Sequence, residues 1–346
     1  MMRLWRCLTA LVLALLLTLS VGAAGTAGFS DVPESHWAAQ SIRRCAQTGL
    51  LQGVGGGRFG LGRTMTRAAY ATALCRLMGW ELATPEKGSF TDNQDTAKWY
   101  YSAIETAYAH GALTGESRQC RPNDAITREE MAKMTVRALG LAMLSGAAAD
   151  DCPFSDVSVA QGYVALAYRM GIIKGVSAYN FEPKKEATRE QAAAVLLRTY
   201  DRLHAAIKVT EAADGSAPSG CVTAGSITEE SGSVPVSPRA PMEEVYAAAV
   251  RAGEGGSVAL RAVPLLQVTR AGAVTDTREL TEGELIELLS EGTLRTHRSA
   301  LHESSCGYRT EKDGSVTVVW YESETDIAEK TELCCLLGIG NVYVLK

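Results

Sequence analysis

The sequence predicts a mainly α-helical region over residues 29–204, built from three copies of a helix-loop-helix unit, followed by a small α+β domain over residues 242–346. Three observations lead there. A pattern of Phe, Asp, Gly-x-x-x-Gly and Thr-Arg recurs three times at closely matched spacing. The composition turns polar, with proline and glycine, from about residue 211. Beyond it, Asp313-Gly314 separates two strand-like segments in the manner of a tight hairpin.

The first copy runs Phe29-Ser-Asp31-Val, Trp37, Gly49-Leu-Leu-Gln-Gly53, Phe59 and Thr66-Arg67. The second runs Phe90-Thr-Asp92, Trp99, Gly111-Ala-Leu-Thr-Gly115, Arg121-Pro122 and Thr127-Arg128-Glu129-Glu130. The third runs Phe154-Ser-Asp156-Val, Gly171-Ile-Ile-Lys-Gly175, Phe181-Glu-Pro183 and Thr188-Arg189-Glu190-Gln191. The leading Phe and the Thr lie 37, 37 and 34 residues apart. Units of roughly 50 residues are marginal alone, so the copies are expected to pack together.

Within each copy a first helix ends at the first Gly of Gly-x-x-x-Gly, a loop follows, and the Thr caps a second helix. Trp37, Ile42 and Cys45 share one face of the first helix, and Tyr70, Leu74 and Leu77 one face of the second. Thr127 with Glu130 forms a capping box, Gln191 serves the same role in copy three, and Ala69 cannot. The boundaries read 28–80, 89–140 and 153–204 for the copies, then a linker over 205–241 that few contacts should cross, so the repeats are expected to fold without the last domain. In the last domain, helices are expected near 242–252, 281–289 and 326–337, and strands near 257–263, 265–270, 308–321 (a hairpin) and 342–345.

The pattern F-x-D-V, W, G-x-x-x-G, F-x-P, T-R-x-E resembles the S-layer homology repeat over about residues 29–204. That resemblance implies a pseudo-threefold assembly of three repeats on an exported bacterial protein, at the cell wall or S-layer surface of a Gram-positive organism. It implies non-covalent anchoring to secondary cell-wall polysaccharide, a peptidoglycan-linked glycan often carrying a pyruvate ketal, held in grooves between repeats. On the resemblance, Arg67, Arg128 and Arg189 would grip the ketal carboxylate, and a guanidinium suits a planar anion. Trp37 and Trp99 would wall the grooves, Gly53, Gly115 and Gly175 would let the ligand approach the backbone, and Asp31, Asp92 and Asp156 would hold the loop. Each has a plainer reading beside it: a surface salt bridge for the arginines, a turn cap for the aspartates, core packing for the tryptophans. Two departures limit the match. Repeat three has Val159 or Tyr163 where Trp would stand, and repeat one has Ala69 in place of Glu, so at most two grooves are fully equipped. The intact capping box makes Arg128 the arginine expected to matter most.

Met1 to Ala27 reads as a secretory signal, with Arg3 and Arg6 before a short apolar run, so no membrane partner is expected after cleavage. Its removal takes the formal charge from −5 to −7. Residues 28–210 hold 21 basic and 18 acidic residues, and residues 211–346 hold 11 and 21. That balance excludes a nucleic-acid binder and turns the acidic end away from an anionic wall. Eight cysteines follow the signal without any zinc-type spacing, and Cys45, Cys75 and Cys120 read as buried fillers. No cofactor or metal is implied. The segment Gly57 to Thr64 approaches a phosphate-binding loop, but Arg63 stands where Lys is required and no apolar strand precedes it. His297, His302 and Cys306 could seed a metal site or a Cys–His nucleophile, and an exposed polar strand is the plainer reading. The protein is thus read as non-enzymatic. An envelope hydrolase with catalysis in 242–346, or a self-assembling lattice protein, are the alternatives.

Overall fold

The computed structural model describes residues 28–115, 117–212, 216–224, 241–299 and 304–346. The expected signal at 1–27 lies outside these residues, as do His302 and most of the proline-bearing stretch before Pro241.

The repeats form helix pairs: α1 (Ala39–Gln47) and α2 (Arg67–Met78), α3 (Tyr101–Ala109) and α4 (Arg128–Ala138), α5 (Gln161–Arg169) and α6 (Arg189–Leu203). The second helices begin where the sequence places them. Thr66 Oγ1 accepts from Ala69 N at 3.2 Å, Glu130 accepts from Thr127 N at 2.9 Å, and Gln191 accepts from Thr188 N at 3.1 Å. Gly49, Gly111 and Gly171 follow the first helices at φ of 75°, 71° and 69°, where a side chain would be strained. Each second helix packs on the first helix of the next repeat: α2 on α3, α4 on α5, and α6 back on α1.

The segments before the second helices close the same circuit through the backbone. Met65 N donates to Ala187 O at 2.9 Å, Ala187 N to Ile126 O at 2.8 Å, and Ile126 N to Met65 O at 2.8 Å. Met65, Ile126 and Ala187 are fully buried. A three-membered ring of hydrogen bonds inside an apolar core ties residues more than 120 positions apart, and no single repeat can form it.

The C-terminal region is mixed. A four-stranded parallel sheet has the order β1-β9-β3-β2, from β1 (Lys208–Ala212), β2 (Val222–Ala224), β3 (Ser257–Arg261) and β9 (Asn341–Leu345). Helices α7 (Met242–Ala252) and α9 (Glu324–Leu336) pack against it. A five-stranded antiparallel sheet has the order β5-β4-β8-β7-β6, from β4 (Leu265–Arg270), β5 (Ala273–Glu279), β6 (Arg295–Ser299), β7 (Ser304–Thr310) and β8 (Val316–Tyr321). Helix α8 (Glu282–Ser290) carries the expected capping box between Thr281 and Glu284. Asp313-Gly314 does turn β7 into β8, with Gly314 at φ 82°.

Two expectations are corrected here. The stretch 205–241 is not wholly a linker, because β1 and β2 come from it and flank the parallel sheet. The repeats and the C-terminal region are also not separated by a contact-poor boundary. One continuous apolar core runs from Tyr70 and Phe59 through Leu144 and Leu197 to Tyr246, Val258 and Val344. Tyr246 Oη donates to Asp151 at 2.7 Å, Arg202 pairs with Glu254 at 2.9 Å, and the Cys335 thiol lies 3.4 Å from Ala205 O.

Candidate functional site

The three arginines after the capping threonines lie on the seams between repeats. Each Nε reaches across to the same carbonyl of the next repeat: Arg67 to Cys120 O at 2.9 Å, Arg128 to Phe181 O at 2.7 Å, Arg189 to Phe59 O at 3.0 Å. The last of these returns from repeat three to repeat one. Arg128 and Arg189 spend a second nitrogen on the residue before the second Gly of Gly-x-x-x-Gly, Lys174 O and Gln52 O, each at 2.7 Å. Their guanidinium carbons stand 4.5 and 4.9 Å over the rings of Phe181 and Phe59. The Nη1 groups of both have no partner among the described residues. None of the three is a surface salt bridge of the plain kind. Burial lowers the pKa of Arg128 and of Arg189, and Arg63 adds to the effect on Arg189.

Arg67 differs. Cys120 replaces the aromatic ring, and Glu130 pairs with Arg67 Nη1 at 2.9 Å and also with Arg121. Residue 130 therefore brings a carboxylate to this seam, where the matching positions at the other two carry Gln191 and Ala69.

The aspartates act within their own repeats, on the loop that supplies those carbonyls. Asp31 accepts from the N–H groups of Phe59, Gly60 and Leu61 at 2.7, 2.7 and 3.0 Å. Asp92 accepts from Cys120 and Arg121 at 2.9 and 2.8 Å, and Asp156 from Phe181 and Glu182 at 2.8 Å each. Burial pushes each carboxyl upward, and the backbone N–H bonds outweigh it, so all three lie below the ordinary carboxylate range. The sign of the pH effect follows. A depressed carboxylate contributes stability that is complete above the unfolded value of roughly 4 and is lost as pH falls through the folded value. Thermal melts from pH 7 to pH 2 should show a plateau and then a fall below about pH 4. The triple Asn variant at 31, 92 and 156 should flatten that fall. A triple variant that falls as steeply as the parent would assign the acid sensitivity elsewhere.

The glycines have a different occupant from the one expected. A Cβ on Gly53 would meet Phe29 Cε1 at 2.8 Å, on Gly115 Phe90 Cε1 at 2.4 Å, and on Gly175 Phe154 Cε1 at 2.4 Å, with loop carbonyls as close. The close approach these glycines allow is that of the repeat's own leading Phe. The tryptophans are not core: Trp37 is 60% and Trp99 67% exposed, each two residues before a first helix. Val159 holds that place in repeat three and is also exposed, while Tyr163 packs against the core.

In the C-terminal region, β6 and β7 place His297 opposite Cys306, with the thiol 3.5 Å from Nε2 and 3.6 Å from Nδ1. Cys306 is buried, and burial pushes its thiol up, which is the wrong direction for a nucleophile. Most buried polar groups nearby are paired, and Glu322 Oε2 has no partner among the described residues. Lys330 pairs with Glu322 at 2.7 Å, and Asp326 accepts from Ser305, Ser323 and Arg298 at 2.7 Å each. Among the described residues no group of three His, Cys, Asp or Glu side chains could hold a metal ion. All eight described cysteines are free thiols, and burial pushes Cys45, Cys75 and Cys120 to about 12.

The family comparison matches the S-layer homology domain at residues 28–71, 89–132 and 153–193, so the chain carries three S-layer homology domains. Relatives divide between surface proteins and glycan-degrading enzymes. An amylopullulanase of Thermoanaerobacterium thermosulfurigenes is 34% identical over 179 residues, which cover 49% of this chain and 9% of that protein. An exoglucanase of Acetivibrio thermocellus is 34% identical, covering 49% and 16%. An S-layer protein of Bacillus thuringiensis subsp. finitimus is 30% identical, covering 56% and 24%. The chain thus spans less than a quarter of each of these relatives. Among solved structures, a chitinase from Chromobacterium violaceum ATCC 12472 aligns at a TM-score of 0.30 with 17% identity, over 40% of this chain and 49% of that one. At that score the likeness bears on neither fold nor function. No helix among the described residues is long and apolar enough to cross a membrane.

Proposed function

We propose that this is an exported anchoring protein whose three repeats form a pseudo-threefold assembly that holds an anionic secondary wall polysaccharide in the grooves between them. The observation that carries the reading is the circuit of arginines. Arg67, Arg128 and Arg189 occupy equivalent places on three seams, pinned by Nε to the next repeat's loop. Where Nη1 is unpartnered, a bound carboxylate has a rigid charge-assisted donor. The exposed faces of Trp37 and Trp99 offer apolar surface for a sugar ring.

The region from β1 to β9 then serves as the displayed and bracing part rather than as an enzyme. Its Cys–His pair carries a thiol that burial pushes up, its buried Lys330 is paired with Glu322, and its buried Asp326 is held by Ser305, Ser323 and Arg298. Sedimentation of the signal-free protein with purified wall sacculi tests the reading. Retention that disappears once the secondary polymer is stripped supports it. Equal retention on stripped and intact sacculi defeats it.

A further inference from the structure

The three seams are alike in backbone and unlike in what fills them. The residue after each accepting carbonyl has positive φ in all three repeats: Gly60 at 86°, Arg121 at 51° and Glu182 at 58°. In repeat two that side chain, Arg121, joins Arg67 on Glu130. In repeat three it is Glu182, which pairs with Lys185 at 2.7 Å and acts electrostatically on Arg128. In repeat one it is glycine, and a Cβ there would meet Val54 Cγ1 at 3.0 Å, Arg63 Cδ at 3.1 Å and Arg189 Nε at 3.4 Å, so Gly60 sits against the Val54 methyl and between the two arginine side chains.

Arg63 takes the position held by Asp124 and Lys185 at the other seams, since the N–H groups of Arg189, Arg67 and Arg128 donate to their respective carbonyls. Lys185 is paired with Glu182, and Asp124 lies 4.0 Å from Arg121. Arg63 is exposed and has no ion pair among the described residues. Two acids act electrostatically on Arg189, Asp31 and Glu190, and both are engaged by the loop: Asp31 by the N–H groups of Phe59, Gly60 and Leu61, and Glu190 by Gly62 N at 3.1 Å. Arg189 is half-buried, whereas Arg67 and Arg128 are 5% and 6% exposed.

We infer that the seam between repeats three and one is the principal anion-binding groove, with Arg189 and Arg63 as its two cationic arms and Gly60 as the residue that keeps it open to a carboxylate-bearing sugar. The inference rests on the proposed glycan binding and ranks the seams within it. The glycine-rich stretch from Gly57 to Thr64, which imitates a nucleotide loop in sequence, is the floor of this groove. Its N–H groups at Gly60 and Leu61 are spent on Asp31, so its own side chains and not a phosphate cradle supply recognition.

The test is calorimetric titration of the full chain with a methyl hexoside bearing a pyruvate ketal, the unmodified hexoside being the control. Arg189→Gln and Arg63→Gln should each weaken the ketal sugar by roughly ten- to a hundredfold, the loss of one charge-assisted contact, while Arg43→Gln, an exposed arginine on α1 away from the seam circuit, shifts it by less than about twofold. Gly60→Glu, copying position 182, should weaken it by at least about tenfold. If Gly60→Glu fails to fold by circular dichroism, Arg63→Gln decides alone, because the exposed Arg63 side chain has no hydrogen bond or ion pair among the described residues. Binding unchanged in Arg63→Gln and Arg189→Gln, with a tenfold loss in Arg128→Gln or Arg67→Gln, overturns the ranking and leaves wall binding standing. A wild-type chain that takes up neither the ketal sugar nor intact sacculi removes the anchoring proposal and this inference together.

Discussion

Asp31→Ala is expected to lower stability by about 2–3 kcal/mol and to abolish retention on wall sacculi. The carboxylate accepts three consecutive N–H groups from a loop 28 to 30 residues away. An unsatisfied buried donor costs ~1–3 kcal/mol, and partial exposure of this loop lets water recover part of that sum. The functional loss follows from what the loop holds. Phe59 supplies both the carbonyl and the ring that fix Arg189, and Gly60 and Arg63 are its neighbours. Asp31→Asn keeps one acceptor oxygen and should recover part of the stability. Urea melts and sedimentation measure both effects. A variant Asp31→Ala that melts like wild type would show that the loop is held by packing alone.

Cutting the chain after Ala205 is expected to lower the melting temperature of the repeats by about 10 °C. The cut removes α7 and α9, which pack on the turn at Ala142–Ser145 and on α6. It also strips Asp151 of Tyr246 and Arg202 of Glu254. Uncovering one or two large side chains costs ~1.5–3 kcal/mol each, and each kcal/mol is worth about 2–4 °C in a domain of this size. The sequence alone points the other way, toward repeats that fold without the C-terminal region. Differential scanning calorimetry of residues 28–205 against residues 28–346 decides. Equal melting temperatures would mean that the shared core adds nothing to the repeats.

The repeats were legible because each carries its own punctuation. Gly49, Gly111 and Gly171 end the first helices, and Thr66, Thr127 and Thr188 start the second ones, so local rules suffice. Their closure into a circuit was not legible. It rests on single backbone bridges such as Thr64 with Thr188, which no local pattern announces. In the C-terminal region the strands with apolar alternation or a Gly turn could be read, β4 and β8 among them. β1 and β2 are short, lie in polar stretches and exist only through parallel pairing with β9 and β3. β5 and β6 were missed for a related reason. All seven residues of β5 are exposed, and Arg295-Thr-His-Arg-Ser299 in β6 alternates no apolar face.

The candidate site was readable at the level of residue type and misread at the level of role. The three arginines stand on the seams, but the sequence could not show that Glu130 already pairs with Arg67 from the next repeat. Gly53, Gly115 and Gly175 looked like room for a ligand and are room for Phe29, Phe90 and Phe154. The signal that could have separated the seams was present in the alignment of the repeats. Positions 60, 121 and 182 read Gly, Arg and Glu, and positions 63, 124 and 185 read Arg, Asp and Lys.

The central claim is that an anionic sugar binds between repeats, at guanidinium nitrogens that have no partner among the described residues. A crystal structure of the signal-free protein soaked with the ketal-bearing hexoside tests it most directly. The account predicts the sugar's carboxylate within hydrogen-bond distance of Arg189 Nη1 and of the Arg63 guanidinium. Density for the sugar on the β1–β9 region, with the three seams empty, would contradict it.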